Sequence, residues 1–181
     1  MRRTSLAFAV PLLVTSLLLA AGAAADPRHG KGEEKIRVHL KGLEEVPAVS
    51  TAATGELRLT INDAAGTIAY ELTYENLQGT VAQAHIHVGQ KSVIGGIALW
   101  LCQTAGTQAP AAVAALTPTC PGPNSGTVSG TLTAANVIGP TGQLIVAGEL
   151  GEVIRAIRSG AAYGNVHTGA VPGGEIRGQL H

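Results

Sequence analysis

Apolar and polar residues alternate along much of this chain. In residues 57–61 each leucine or isoleucine is separated from the next by a polar residue, and residues 68–74 repeat this period of two. A period of two puts alternate side chains on opposite faces, which is typical of half-buried antiparallel β-strands. Segments with this pattern or a strand-like composition are residues 36–41, 56–61, 68–75, 81–88, 97–102, 126–133, 161–168 and 174–180.

One segment departs from the strand pattern shortly before the last two strands. Acidic residues lie toward its start, and Arg155 and Arg158 lie toward its end, just before Gly160. This distribution of charge and the terminal glycine predict a short amphipathic helix. The chain is therefore predicted to be all-β, an antiparallel β-sandwich or Greek-key-like barrel of about eight strands with one helix. The apolar residues that recur at helical spacing are Leu150, Val153, Ile154 and Ile157.

The first residues have the features of an export signal. Arg2 and Arg3 form a basic start, residues 6–19 are mostly apolar, and alanines precede the predicted cleavage after Ala25. The apolar run is short for a membrane span and ends in small residues, so residues 1–25 are predicted to be a signal peptide. An uncleaved anchor is the alternative. A flexible lead at 26–35 and one β domain at 36–181 follow, with no membrane span in the mature chain.

Charge and aromatic content argue against nucleic-acid binding. Residues 26–181 carry 10 Lys and Arg against 12 Asp and Glu, so the mature chain is close to neutral. The whole chain has only one Phe, one Trp and three Tyr. Such a chain has neither a basic stripe for phosphates nor aromatic platforms for bases, so no nucleic-acid partner is expected.

The two cysteines, Cys102 and Cys120, bracket an Ala/Pro-rich segment at 103–119 that has little periodicity. A disulfide between them would close this loop and would stabilise the fold by about 3 kcal/mol. Two thiolate metal ligands are the weaker alternative, because neither cysteine belongs to a CxxC motif or lies close to a histidine in the sequence. A disulfide predicts an oxidising destination, either the periplasm or the outside of the cell.

Three motifs occur in order along the chain. Residues 40–47 read L-x-G-x-x-E-V-P, residues 84–89 contain H-I-H, and residues 163–180 read Y-x-N-V-H-T-x-x-x-P-G-G-E-I-R-G-Q-L. Together they resemble the chordin-type (CHRD) domain family, which includes many bacterial secreted proteins. The resemblance spans residues 36–180 and implies an extracytoplasmic β domain without a known reaction. Gly164, where the family usually has a bulkier residue, and the long Ala/Pro segment are the main departures.

Three histidines of these motifs are candidate metal ligands. His85 and His87 are two residues apart in a predicted strand, so they share a face, and His167 lies in the penultimate strand. If the two strands are neighbours, the three imidazoles form a set suited to copper or zinc.

A structural role is the other interpretation of the same polar residues. In that interpretation Asn165, Thr168 and Glu175 satisfy the backbone of the Gly-rich loop, and Arg177 pairs with Glu175 or Glu45. The histidines then donate to carbonyls or carboxylates, and no cofactor is bound.

Catalytic activity is not expected. The H-I-H strand resembles the copper-binding strand of copper/zinc superoxide dismutases, but this chain has no histidine-rich zinc loop, and its cysteines lie in different surroundings. No G-x-S-x-G nucleophile motif occurs either. The leading hypothesis is a non-enzymatic extracytoplasmic module that binds a protein, glycan or matrix partner through sheet edges or the 103–119 loop. The alternative is a copper- or zinc-binding protein built on His85, His87 and His167.

Overall fold

The computed structural model of the protein describes residues 32–181, and within them it contains eight β-strands. The predicted signal peptide and residues 26–31 of the predicted lead lie outside the described residues. The first strand begins at Glu34, so the last two residues of that lead belong to the sheet. The strands are β1 (Glu34–Lys41), β2 (Thr54–Asn62), β3 (Thr67–Glu75), β4 (Val81–Val88), β5 (Gly96–Gln103), β6 (Gly126–Leu132), β7 (Ala162–Thr168) and β8 (Ile176–Leu180).

Two α-helices and three short 3-10 helices connect the strands in this part of the chain. The helix α1 (Ala111–Ala114) is a single turn, and α2 (Leu150–Arg158) precedes the last two strands, as the helical spacing predicts. The 3-10 helices are Gly42–Glu44, Ala134–Asn136 and Thr141–Gln143. No helix among residues 32–181 is both long enough and apolar enough to cross a membrane.

All eight strands form one antiparallel sheet in the order β5-β4-β7-β8-β1-β2-β3-β6. The sheet curls until its end strands, β5 and β6, approach each other. The Tyr70 hydroxyl on β3 donates to the Leu101 carbonyl on β5 at 2.6 Å, which links the two ends of the sheet. The all-β prediction is therefore confirmed, and the architecture is a nearly closed barrel.

The barrel interior is filled by the alternating apolar residues that the sequence pattern identifies. Leu57, Leu59 and Ile61 of β2 are fully buried, and the apolar face of α2 packs against the same core. Each leucine or isoleucine side chain buried in this way stabilises the fold by about 1.5–3 kcal/mol. Period two on the strands and period 3.6 on α2 thus converge on one core.

The segment between the cysteines is more ordered than its composition predicts. Cys102 and Cys120 form a disulfide, and both are buried. The Gln103 side chain donates to the carbonyls of Ala114 and Thr117 at 2.8 and 2.7 Å, which ties α1 to the end of β5. The segment is therefore a folded cover over one end of the sheet.

A second cover lies over β7 and β8 on the outer side of the barrel. It consists of residues 89–95, which connect β4 to β5. The Gln179 side chain donates to the Gly89 carbonyl at 2.9 Å, and the Gly95 N–H donates to the Tyr163 hydroxyl at 3.2 Å. All seven residues of β7 are buried, including Tyr163, Asn165 and His167 on the outer face, because the core covers one side of the strand and the loops cover the other. The polar residues of that face therefore form a closed layer between the sheet and its cover.

Candidate metal centre

The pairing of β4 with β7 brings three histidines together on the outer face. His85 is opposite Asn165 in the register, and His167 is opposite Gln83. His87 follows His85 by two positions on the same strand, so all three imidazoles emerge on one side of the sheet. Their candidate ligand atoms lie within 4.8 Å of one another, and we call His85, His87 and His167 the histidine cluster.

Backbone carbonyls fix the orientation of two of these rings. The Nδ1 atom of His87 lies 2.9 Å from the Gly95 carbonyl oxygen, and Nδ1 of His167 lies 2.8 Å from that of Pro172. A carbonyl only accepts, so each Nδ1 carries the proton and donates. Each Nε2 then presents a lone pair, and the buried Nε2 of His87 has no hydrogen-bond partner within residues 32–181.

The imidazole of His85 faces that of His167. Nδ1 of His85 lies 3.2 Å from Nε2 of His167, and the buried Nε2 of His85 is also without a partner in the described chain. The His85 ring packs against Trp100 with ring centroids 4.2 Å apart and planes at 77°. Trp100 is buried and belongs to a small apolar core cluster with Ala109 and Val113, apart from the main core.

Burial keeps the histidine cluster neutral. Removal from water lowers the pKa of His87 from 6.5 to about 4, and the same cause, reinforced by the neighbouring imidazoles, lowers the pKa of His85 much further. The pKa of His167 is lowered by burial as well, although its bond to Pro172 opposes the change. Neutral imidazole is the form that binds metal, so the cluster is ready for a cation at neutral pH.

A stack of three planar groups borders the cluster. The ring of His87 lies parallel to that of Tyr163 with centroids 4.8 Å apart and an angle of 4°. On Tyr163 lies the Arg177 guanidinium, 3.4 Å from the ring centroid. This guanidinium donates to the carbonyls of Gln90 and Val93 at 3.1 and 3.0 Å, so it holds the 89–95 cover in place. The Arg177 charge is close enough to contribute, after burial, to the lowered pKa of His87.

The prediction that Arg177 pairs with Glu175 is wrong. Glu175 is fully buried, and its carboxylate accepts hydrogen bonds from Thr168, Thr51 and the Gln78 backbone at 2.8–2.9 Å. It links the β1–β2 and β3–β4 connections to the end of β7 and takes no part in the histidine cluster. Thr168 also accepts from the Val171 N–H at 3.1 Å, which agrees with the predicted role of Thr168 in the Gly-rich loop.

Glu45, the other predicted partner of Arg177, lies on the far side of Asn165 from the cluster. Burial raises the pKa of Glu45 from 4.5 to about 7, although the Arg177 charge and the Asn165 amide oppose the rise. Gly174, which has a φ of +122°, lies between Glu45 and Asn165. A Cβ at this position would lie 2.6 Å from Glu45 Oε1 and 2.7 Å from Asn165 Nδ2. Only glycine fits this position.

The spacing of the cluster matches the needs of a small cation. Two nitrogen ligands of one zinc or copper ion lie about 3–4 Å apart, because each bond is near 2.0–2.1 Å. The 3.2 Å between His85 and His167 is within this range, and the 4.8 Å limit of the cluster exceeds it by less than about 1 Å. A modest ring rotation would bring all three nitrogens onto one ion.

Comparison with protein families identifies the class to which this fold and this polar layer belong. The model of the CHRD domain matches residues 36–180, from the middle of β1 to the end of β8. The chain is therefore a member of the CHRD domain family, as the three motifs indicate. Neither the curated proteins nor the solved structures gave a match to the chain.

Two parts of the site are absent from the sequence interpretation. Trp100 is opposite His85 in the register of β4 with β5, but its position in a continuous apolar run conceals which face it occupies. The Gly95 carbonyl, which orients His87, lies in a loop whose path no periodicity reports. The signal that could have found both is the H-I-H strand itself, because its neighbours on either side must pack around the imidazoles.

Proposed function

We propose that this protein is a non-enzymatic extracytoplasmic CHRD module that binds one copper or zinc ion through His85, His87 and His167. The observation that carries the proposal is the convergence of three buried, neutral imidazoles whose ligand atoms lie within 4.8 Å of one another. Imidazole suits both metals, and neither requires a negative ligand to bind.

The state of the individual nitrogens supports the proposal. The Nδ1 atoms of His87 and His167 each donate a hydrogen bond to a backbone carbonyl. Such a bond orients metal-binding histidines and makes the other ring nitrogen a better ligand. The unpartnered Nε2 of His87 is buried, and a buried polar atom without a partner costs about 1–3 kcal/mol. A bound ion would remove that cost.

The proposed extracytoplasmic location is supported by the disulfide and by the sequence of residues 1–25, not by the barrel fold. Cys102 and Cys120 form a disulfide, a bond that persists in oxidising compartments. The basic and apolar pattern of residues 1–25 has the features of a secretory signal cleaved after Ala25. We therefore propose that the module, residues 36–181, works in the periplasm or outside the cell.

Elemental analysis tests the metal proposal. The full chain is expressed with its signal, purified from periplasm and culture fluid without chelator, and dialysed against copper or zinc at neutral pH. One equivalent of metal is expected in the wild type and much less than one in His85→Ala or His87→Ala. His39→Ala is the matched control, because the side chain of His39 is 66% exposed on β1. Metal-free wild-type protein after loading contradicts the proposal.

Binding of a protein, glycan or matrix partner is the second candidate function. It is favoured by an open groove beside α1, with a volume of about 630 Å³, whose lining includes Pro110, Val113 and Val137 and is mainly apolar. Leu116, in the same segment, is half exposed. A pull-down from envelope and culture fluid, with the wild type and a variant of the exposed lining residue, Ala112→Asp, tests it. Recovery of the same proteins and glycans by both would exclude this groove as the binding surface.

A further inference from the structure

Asn165 is the residue that the histidine cluster surrounds. It lies at the centre of β7, is 3% exposed, and is opposite His85 on β4 and Arg177 on β8. Its Oδ1 atom lies 3.0 Å from Nε2 of His167. Strand pairing on both sides therefore holds the carboxamide against the imidazoles.

Neither Oδ1 of Asn165 nor Nε2 of His167 carries a proton that it could donate to the other. Nδ1 of His167 donates to the Pro172 carbonyl, so Nε2 presents a lone pair, and the carboxamide oxygen is also an acceptor. Two lone pairs at 3.0 Å repel unless a donor or a cation lies between them. A distance near 3 Å is also the separation of neighbouring ligands on one zinc or copper ion.

The other end of the carboxamide faces a different group. Nδ2 of Asn165 and Oε1 of Glu45 both approach Gly174, where a Cβ would be within 2.7 Å of either atom, and the Asn165 amide lowers the pKa of the Glu45 carboxyl. An amide N–H group is favourable beside a carboxyl oxygen, and an amide oxygen there is not. The Glu45 carboxyl therefore favours the orientation of Asn165 in which Oδ1 faces the imidazoles.

We propose that Oδ1 of Asn165 is the fourth ligand of the ion, which makes the centre a site of three nitrogens and one oxygen. This inference rests on the proposed function and names the ligand that completes it. Four ligands of this kind suit a divalent ion, Zn²⁺ or Cu²⁺. Cu⁺ prefers sulfur, and the only methionine of the chain is Met1, while both cysteines are in the disulfide.

Titration with Zn²⁺ alone and Co²⁺ alone tests this ligand. Binding of Zn²⁺ to the full mature chain is measured by calorimetry, and Co²⁺ is used because its visible absorption reports the ligand number and type. The variants are Asn165→Ala, Asn165→Asp and His87→Ala. Asn136→Ala is the matched control, because Asn136 is also a buried asparagine, and its Oδ1 accepts from Thr133, away from the cluster.

In Asn165→Ala the Kd for Zn²⁺ is expected to rise at least about tenfold, since outer partners of ligands alone change metal affinity 10–100-fold. The Co²⁺ bands are expected to weaken as water replaces the carboxamide. Asn165→Asp keeps the shape of the side chain, so it is expected to fold, to bind Zn²⁺ more tightly than the wild type and to shift the Co²⁺ bands. Asn136→Ala should match the wild type in both measurements.

Two results would overturn the inference, and they differ. If His87→Ala abolishes binding while both Asn165 variants keep the wild-type Kd and Co²⁺ spectrum, the metal site stands and Asn165 is not a ligand. Unchanged values would mean that Nδ2, rather than Oδ1, faces His167. If the wild type binds neither Zn²⁺ nor Co²⁺, the proposed function fails and the fourth ligand fails with it.

Discussion

His85 and His167 are 82 positions apart in the chain, yet Nδ1 of the first lies 3.2 Å from Nε2 of the second. The contact exists because β4 and β7 are neighbours in the sheet and because their register sets His85 opposite Asn165. A shift of one residue in that register would turn His167 to the barrel interior. The register of one strand pair therefore decides whether the chain has a histidine cluster at all.

Trp100 should report the arrival of copper. It is the only tryptophan of the chain, and its ring centroid is 4.2 Å from that of His85. A paramagnetic Cu²⁺ ion so close quenches indole emission, so one equivalent of Cu²⁺ should remove most of the fluorescence, and Zn²⁺ should change it little. His85→Ala should lose most of the quenching, and His39→Ala should keep it. Equal quenching in the wild type and His85→Ala would mean that Cu²⁺ binds elsewhere.

Acid should destabilise the metal-free protein through its histidines. Burial lowers the pKa of His87 from 6.5 to about 4, so the folded state binds this proton less readily than the unfolded state. The resulting stability is present above pH 6.5 and is lost as the pH falls toward 4, which for His87 amounts to about 3 kcal/mol. Urea unfolding of chelator-treated protein at pH 7 and pH 4 measures it.

His87→Gln provides the comparison for the acid experiment. Glutamine is uncharged at both pH values and can still donate to the Gly95 carbonyl. The variant should therefore lose less unfolding free energy between pH 7 and pH 4 than the wild type does. An identical loss in both proteins would show that His87 is as easily protonated in the folded state as in the unfolded state.

Gly174 should tolerate no side chain. Alanine there would need a φ of +122° and would place its Cβ 2.6 Å from Glu45 Oε1. We expect Gly174→Ala to lower the free energy of unfolding by about 2 kcal/mol and to weaken metal binding, because Asn165 would move. Gly173→Ala, where a Cβ meets nothing within 4 Å, should stay within about 0.5 kcal/mol of the wild type. Thermal unfolding of the two variants decides, and equal stability would contradict the role given to Gly174.

The disulfide should contribute to stability by closing the 103–119 segment. Cys102 and Cys120 are 18 positions apart, and a loop of this size is worth about 3 kcal/mol. Reductant should therefore lower the urea midpoint of the wild type, and the double variant Cys102→Ala/Cys120→Ala should begin at that lower midpoint. Because the variant has no bond to break, reductant should not affect it. A double variant with the same urea midpoint as the oxidised wild type would show that Gln103 and α1 hold the ordered segment without the disulfide.

Strands and α2 could be predicted because their residues follow simple periods. Leu57, Leu59 and Ile61 need only a pleated backbone to reach the core, and the face of α2 needs only a helical one. The shared face of His85 and His87 follows from the same rule. The pairing of β4 with β7 has to be assumed when only the sequence is known, since no local pattern reports which distant strands pair.

The incorrect predictions concern residues that lie where the regular strand geometry ends. Arg177 and Glu175 are two positions apart, so strand alternation predicts one face for both. However, β8 begins at Ile176, and Glu175 follows Gly174, whose positive φ turns the chain before the strand starts. The carboxylate therefore reaches Thr51 and Thr168 rather than the guanidinium. The Ala/Pro composition of residues 103–119 likewise conceals α1, a single turn that the Gln103 side chain ties to the end of β5.

Neither β4 nor β7 is at an end of the sheet, since β4 lies between β5 and β7, and β7 lies between β4 and β8. Their backbones are fixed by ladders on both sides, so the strands that carry the imidazoles cannot move apart without breaking several backbone hydrogen bonds. Ca²⁺, which takes six to eight oxygen ligands, would find mainly imidazole nitrogens in this frame. Strand order thus selects ions by the chemical type of the ligands that it brings together.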